Sequence, residues 1–176
     1  MLTDAQKDAL VDLARRSVTA TVTRSAAPTC SVAVPDASGV FVTIKRGGEL
    51  RGCLGTLQCQ RGLAGEVVRC AADAATDDPR FPPVSIDELP DLAVEVSVLG
   101  PLELIDPRDS EAIVIGRHGL VAERGFRRGL LLPQVATEWG WTVDQFLRQT
   151  CLKAGLEADA WQRDARISRF EAEVFP

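Results

Sequence analysis

Apolar side chains recur at helical spacing in four parts of the chain. Thr3 and Gln6 fit a capping box at the start of the first part, whose apolar residues are Ala9, Leu10, Leu13, Ala14 and Val18. The second part, GLAGEVVRCAADAATDD, has one apolar face and stops at the proline-rich segment DPRFPPV. QVATEWG and TVDQFLRQTCLKAG predict two further helices, the last with Thr142 as N-cap and Gly155 just beyond its end.

Alternation of apolar and polar residues predicts the strands. GVFVTIKRGGELRGCLGTL predicts a hairpin with strands at 40–45 and 50–57, joined at Gly47 and Gly48. LAVEVSVLGPLEL alternates strictly, which predicts a strand with one buried face. HGLVAERGFRRGLLLP predicts two short strands around Arg124 and Gly125, and ARISRFEAEVF predicts a last strand. Residues 19–38 show no clean period, so we predict a loop there with a short strand at 30–34.

The order of these elements predicts the fold class. Helices and strands are interleaved, but the hairpins require antiparallel pairing, which argues against a doubly wound parallel sheet. We therefore predict an α/β (α+β) fold with a mixed, largely antiparallel sheet covered by helices. A chain of 176 residues can bury a core as a single domain, with a small internal subdomain, and needs no disulfide scaffold.

Composition narrows the classes of protein that the chain can represent. The 20 basic and 25 acidic residues give a net charge of -5, the wrong sign for a protein that neutralises phosphates, so nucleic acid is not an expected partner. No apolar run is long enough to cross a bilayer, and MLTDAQKDALVDLARRSV lacks the basic start of a secretory signal. The five cysteines do not form a disulfide framework. These features predict a cytoplasmic protein with free thiols and no membrane partner.

The segment ELRGCLGTL carries the main candidate for chemistry, the thiol of Cys53. In a regular strand Arg51, Cys53 and Gly55 share one face, while Gly52 lies on the other. The two glycines would leave room above the sulfur, and a guanidinium beside it would favour the reactive thiolate. In the alternative interpretation Cys53 is a small buried side chain and the glycines only form a tight turn.

Few residues could assist such a thiol. His118, in GRHGL, is the only histidine, so a Cys-His dyad would use it as acid or base; otherwise it is a histidine in a surface turn. Glu95 could orient the imidazole as a third member, although such a glutamate commonly faces water. Arg80, in DPRFPP, could line a ligand site or lie in an inert connector. The cysteines are too widely spaced, and histidine too scarce, to predict a metal site.

Several motifs in the same order resemble the AMMECR domain family: LRGCLGTL, AATDDPRFPPVSIDELPDLAVEVSVLGP, GRHGL, LLLPQVATEWGW and AEVF. The family's bacterial members are often called AmmeMemoRadiSam system protein A. The resemblance covers most of the chain and implies a single AMMECR-type domain over residues 1–176. It also implies a mixed α/β fold with a larger part, a smaller subdomain and a cleft lined by the RGC segment.

The resemblance further implies partners and a site. Bacterial relatives are commonly encoded beside a Memo-type protein, which is similar to iron-dependent extradiol dioxygenases, and a radical SAM protein. The family's functional positions fall here on Arg51, Gly52, Cys53 and Gly55, with His118 as a second candidate. The family usually has isoleucine where this chain has Leu54, a conservative difference. The family has no settled activity, and the resemblance leaves substrate and cofactor open.

These inferences lead to two main hypotheses. In the first, Cys53 acts as a nucleophile or covalent carrier on a small or peptide-linked substrate. Arg51 favours its thiolate or holds an anionic group, and backbone amides of the glycine segment stabilise an oxyanion. In the second, the protein is a non-enzymatic adaptor or ligand-binding module whose RGCLG surface docks a partner. A metal or cluster chaperone for the iron-dependent partners is a third hypothesis.

Overall fold

A computed structural model describes residues 2–176. The described chain divides into two compact units. The first comprises the residues up to Leu99 together with Glu173–Pro176, and the second comprises Gly100–Ala172.

The first unit is a three-stranded antiparallel sheet with helices packed on one face. Its main elements are α1 (Asp4–Thr23), β1 (Gly39–Arg46), β2 (Glu49–Thr56), α2 (Gly62–Thr76) and β3 (Leu92–Leu99). Strand β1 lies in the middle and pairs antiparallel with β2 on one side and β3 on the other. A 3-10 helix at Ile86–Asp91 leads into β3.

The core of this unit lies between the sheet and the helices α1 and α2. The strand residues that face the helices are Val40, Val42, Ile44, Val94, Val96 and Val98. They alternate with residues on the other side of the sheet, as expected for strands with one buried face. We call that other side the helix-free face; its central residues are Phe41, Thr43, Lys45, Cys53 and Glu95.

The second unit is also built on antiparallel pairing. Its elements are β4 (Glu103–Ile105), β5 (His118–Arg124), β6 (Arg127–Leu131), α3 (Pro133–Glu138), α4 (Val143–Lys153), a 3-10 helix (Ala160–Gln162) and most of β7 (Arg166–Phe175). Strand β5 pairs with both β6 and β7, and β4 pairs with β7. The largest side chains of its core are Leu120, Phe146, Leu147 and Ile167.

The predicted fold class is confirmed, because antiparallel sheets covered by helices form an α/β fold. The capping box predicted at Thr3 and the N-cap predicted at Thr142 both form, and Gln145 completes a capping box with Thr142. Gly155 follows the end of α4 with a φ of 72°, the left-handed conformation that favours glycine at this position. The hairpins around Gly47 and Gly125 also form as predicted.

The prediction for residues 19–38 is wrong in two respects. Helix α1 continues to Thr23 and ends at Arg24, whose backbone adopts the left-handed conformation and donates to the carbonyls of Ala20 and Thr21. Residues 30–34 form no strand. The carbonyl of Ala33 accepts instead from the side chain of Gln6, so this segment lies along α1 rather than in a sheet.

The predicted regular alternation of the second hairpin strand is also wrong, because β2 contains a bulge at Arg51. Leu50 lies opposite Lys45, but the next pair is Gly52 with Ile44, so Arg51 is an extra residue without a partner in β1. Beyond the bulge Cys53 lies opposite Thr43. Arg51 and Cys53 therefore do not follow one regular alternation.

Candidate functional site

The sulfur of Cys53 lies on the helix-free face and is half-buried. Thr43, its partner in β1, donates a hydrogen bond from Oγ1 to Cys53 Sγ at 3.3 Å. An ionised sulfur accepts hydrogen bonds and cannot donate one, so a hydroxyl donor aimed at it suits a thiolate. The pairing of the two strands thus gives this thiol a fixed polar neighbour.

The backbone of Cys53 is held from the opposite side by the loop that follows α2. Its N–H donates to Asp78 Oδ2 at 2.9 Å, and its carbonyl accepts from Arg80 Nη2 at 3.3 Å. Arg80 also binds Asp78 through Nε and Nη2, at 3.0 and 2.7 Å. Asp78 is buried, and its hydrogen bonds with Arg80 hold the pKa of this carboxyl well below its usual range. Asp78 and Arg80 therefore fix Cys53 as a neighbouring strand would.

We call the hydrogen bonds of Asp78 and Arg80 to the backbone of Cys53 the clamp. The clamp bears on the prediction that backbone amides of the glycine segment stabilise an oxyanion. Because the N–H of Cys53 is bonded to Asp78, that amide cannot also donate to an oxyanion. The predicted contribution of the glycine segment's amides to an oxyanion site therefore stays a prediction for the amides other than that of Cys53.

The side chain of Arg51 donates hydrogen bonds from all three of its nitrogens to residues 82–88. Arg51 binds both carboxylate oxygens of Glu88, at 2.8 and 3.0 Å, and donates to the carbonyls of Pro82 and Pro83. The hydrogen bond from Arg51 lowers the pKa of Glu88 to about 2. The nitrogens of Arg51 are thus hydrogen-bonded to residues 82–88, and these bonds anchor the bulge. The predicted binding of an anionic group by Arg51 stays a prediction.

The glycines on either side of Cys53 are explained by close packing. A Cβ on Gly52 would meet the backbone carbonyl of Ala74 in α2, and a Cβ on Gly55 would meet the ring of Phe41. Gly52 thus allows the helix to approach the strand, and Gly55 allows an aromatic ring to cover it. Protein atoms thus occupy the place of a side chain at both glycines, and the interpretation that the glycines leave room above the sulfur stays a prediction.

Glu95 lies in the same row as Thr43 and Cys53, one strand further across the helix-free face. Its carboxylate accepts from Lys45 Nζ at 3.0 Å. The structure thus brings together Cys53, Thr43 and Glu95 on one face, with Asp78 and Arg80 at the edge of the sheet. The predicted role of Glu95 in orienting an imidazole stays a prediction.

His118 begins strand β5 in the second unit and is 5% exposed. Its Nδ1 accepts the backbone N–H of Val114 at 3.0 Å, and the backbone N–H of His118 donates to the carbonyl of Val114 at the same distance. The interpretation of His118 as an exposed turn residue is therefore wrong. Cys53 belongs to the first unit, and a Cys-His dyad stays a prediction.

The other four thiols have different surroundings. Cys70 and Cys151 are buried on their helices, as predicted, and burial raises the pKa of Cys70 to about 12. Burial also raises the pKa values of Cys59 and Cys151. Cys30 donates its S–H to the carbonyl of Val32. Among these five thiols, only Cys53 accepts a hydrogen bond from a hydroxyl.

Two searches of residues 2–176 gave negative results. These residues contain no group of three or more His, Cys, Asp or Glu side chains placed to hold a metal ion. No helix in this range has the length and the apolar character required to cross a membrane.

Fold and site together define an α/β protein that presents one half-buried, hydrogen-bonded thiol on the helix-free face of an antiparallel sheet. The chain belongs to the AMMECR1 family, whose model matches residues 11–175.

Three similar proteins have names that give no activity. A protein of Methanothermobacter thermautotrophicus is 50% identical over 142 residues, which cover 78% of this chain and 74% of the relative. A protein of Methanosarcina barkeri is 42% identical over 185 residues, covering 99% of this chain and 92% of the relative. The crystal structure of the uncharacterized protein PH0010 from Pyrococcus horikoshii is similar with a TM-score of 0.89 and 41% identity. That similarity covers 98% of this chain and 92% of PH0010.

Sequence patterns did not reveal the roles of Thr43 and Val114. Threonine is common in strands in general and carries no chemical signal by itself, and only the bulge at Arg51 brings Thr43 opposite Cys53. The N–H of Val114 is a backbone donor that carries no side-chain signal. Asp78 had a weak signal, because an aspartate before proline and arginine is typical of a loop that folds back on itself.

Proposed function

We propose that the protein uses Cys53 for cysteine-dependent chemistry on a small or peptide-linked substrate. The observation that carries the proposal is the combination of a half-buried sulfur, a hydroxyl donor from Thr43 and a backbone clamped by Asp78 and Arg80. A nucleophile must be held in place and must remain accessible to its substrate. A purely structural cysteine needs neither the donor nor the clamp.

In the proposed step the sulfur of Cys53 attacks an electrophilic carbon of the substrate. A C–S bond forms, the bond from that carbon to its leaving group breaks, and the thiol proton is released to solvent. Thr43 holds the sulfur in its reactive orientation.

Arg80 is the cation that the proposal assigns to the substrate. Its side chain is 54% exposed, and its Nη1 has no hydrogen-bond partner within residues 2–176. Arg51 is 13% exposed and donates from Nε and both Nη atoms to protein groups. A guanidinium with an unused donor is suited to hold a carboxylate or phosphate group.

The first test is the rate of alkylation at each cysteine of the native protein, measured by peptide mapping after iodoacetamide treatment. We expect Cys53 to react about ten-fold faster than Cys30 and Cys59, because its sulfur is held and accessible. Cys70 and Cys151 are expected to react only on unfolding, since they are buried. Equal rates at Cys53, Cys30 and Cys59 would contradict the proposal.

Two variants of Thr43 form a matched pair for this test. Thr43→Val removes the hydroxyl and keeps the shape, whereas Thr43→Ser keeps the hydroxyl. We expect Thr43→Val to slow the alkylation of Cys53 several-fold and Thr43→Ser to leave it near the wild-type rate. A similar loss in both variants would show that packing, and not the donor, controls the thiol.

The adaptor hypothesis and the hypothesis of covalent catalysis predict different results for Cys53→Ser. Both proteins are recovered from their source cells after acid quenching and measured by intact-mass spectrometry. A covalent intermediate should appear as an adduct on the wild-type protein and should be absent in Cys53→Ser. An adaptor would carry no adduct in either form and would bind its partner equally well in both.

We also propose that the chain acts with a Memo-type protein and a radical SAM protein in the cytoplasm. The support for these partners is the ordered set of family motifs in the sequence. Co-elution of the purified proteins in size-exclusion chromatography tests this proposal, and separate elution at micromolar concentrations would count against it.

A further inference from the structure

His118 is held by a reciprocal pair of hydrogen bonds with one residue. The backbone N–H of Val114 donates to the ring nitrogen Nδ1 of His118, and the backbone N–H of His118 donates to the carbonyl of Val114, each at 3.0 Å. The lone pair of Nδ1 is therefore engaged by the backbone of the preceding turn. A proton on Nδ1 would place two donors against each other and break this contact.

This arrangement decides which ring nitrogen carries the proton. A neutral imidazole has one donor and one acceptor nitrogen, and the acceptor here is Nδ1, so Nε2 is the donor. Burial, and then the charges of Arg169 and Arg117, lower the pKa of His118. Glu171 and Glu103 oppose this effect. The ring is thus neutral at pH 7, with its proton on Nε2.

The Nε2–H group has no partner within residues 2–176, although the side chain is only 5% exposed. It is not among the described nitrogen atoms that are both fully enclosed and without a partner, so this atom retains some exposed surface. A buried donor without an acceptor is costly, so an acceptor from outside the described protein is expected to meet this group.

We propose that His118 is a ligand-binding residue whose neutral Nε2–H donates a hydrogen bond to a carbonyl or carboxylate oxygen of a small molecule. In this role His118 is a donor and not a general base, because its basic nitrogen is occupied by Val114. A fixed neutral imidazole can polarise a carbonyl in this way. The inference stands on the second unit alone and does not depend on the reactivity of Cys53.

The flanking charges are consistent with an oxygen ligand. Arg117 pairs with Glu171 at 2.7 Å, and Arg169 pairs with Glu103 at 2.9 Å. Each arginine is therefore neutralised by a glutamate, which leaves the directed N–H of His118 as the specific contact. An oxygen acceptor satisfies this donor without requiring a free cation beside it.

The single histidine makes the tautomer measurable without assignment ambiguity. A long-range 1H–15N correlation spectrum of the wild-type protein at pH 7.5 should show one neutral ring with a protonated Nε2 and an unprotonated Nδ1. A protonated Nδ1, a mixture of tautomers or an imidazolium would overturn the inference.

Two probes test the ligand. Sodium acetate supplies a carboxylate oxygen and acetamide a carbonyl oxygen, each titrated to about 0.1 M, which detects millimolar binding. Sodium chloride at equal ionic strength is the control. A saturable shift of the Nε2 resonance with either probe supports the proposal, and the probe that acts identifies the oxygen. If neither probe acts, water is the only acceptor and the proposal fails.

Arg117→Gln provides the matched control variant, because Arg117 is an exposed neighbour whose side chain makes no hydrogen bond to the ring. The tautomer and the saturable shift should both persist in this variant. Loss of the shift for both probes would identify Arg117, and not His118, as the binding group.

Discussion

The regions around Cys53 and His118 fix their key residues in opposite ways. Cys53 is held through its backbone by Asp78 and Arg80, so that its sulfur retains only the contact from Thr43. His118 is held through its own ring nitrogen, which a backbone N–H occupies. The first arrangement fixes where a reactive atom lies, and the second fixes which atom carries a proton. The proposed nucleophile is thus held by its backbone, whereas the proposed donor is held by its ring.

The largest expected effect comes from breaking the clamp on Cys53. Asp78→Ala removes a buried carboxylate and leaves the N–H of Cys53 without its acceptor, so we expect the free energy of unfolding to fall by about 2–4 kcal/mol. Urea denaturation measures this loss. Asp77→Ala changes the exposed neighbouring aspartate and should stay within about 0.5 kcal/mol of wild type. Equal effects of the two variants would show that the clamp does not stabilise the fold.

A smaller effect is expected from the two arginines beside the thiol. Arg51→Lys loses the bidentate contact with Glu88 and should lower the free energy of unfolding by about 1–2 kcal/mol. Arg80→Lys also loses a bidentate contact, with Asp78, but the Arg80 side chain is 54% exposed and solvent screens the pair, so the loss should be less than about 1 kcal/mol. Urea denaturation of the two variants side by side measures the difference. A larger loss in Arg80→Lys would reverse the roles assigned to these arginines.

The smallest effect is a pH dependence that belongs to the second region. The pKa of His118 in the folded protein lies below its usual value of about 6.5, so the unfolded state binds more protons between the two values. The contribution of His118 to stability is therefore complete above pH ~6.5 and is lost as the pH falls through the window below it.

His118→Gln should remove this slope, because glutamine does not titrate. Urea denaturation of wild type and His118→Gln from pH 8 to pH 5 provides the measurement. The difference in the free energy of unfolding between the two proteins should be constant above pH ~6.5 and should shrink below it. Parallel curves throughout would contradict a lowered pKa for His118. Glu88, whose pKa is lowered to about 2, contributes a separate loss only at more acidic pH.

The sequence by itself determined most of the helices and strands and the fold class of this protein. Apolar spacing and the caps at Thr3 and Thr142 identified the helices, because these signals are local and depend on neighbouring residues alone. Strict alternation identified β3, and paired glycines identified the first hairpin, for the same reason. The ordered motifs along most of the chain, one of which contains Cys53, identified the family.

Only the tertiary structure decided the register around the thiol. Counting outward from the turn at Gly47 and Gly48, a regular hairpin places Thr43 opposite Gly52. The bulge at Arg51 shifts the pairing by one residue and brings Cys53 opposite Thr43 instead. That bulge is anchored by Glu88, 37 residues further along the chain, so no local pattern could predict it.

The tertiary structure likewise decided the state of His118. Its single occurrence in the sequence marked it as a candidate acid or base. Whether its ring can accept a proton depends on a backbone N–H in the preceding turn and on charges from β4 and β7. Hydrogen bonds and charge–charge interactions depend on which groups the fold brings close together, whereas composition and spacing describe only positions along the chain.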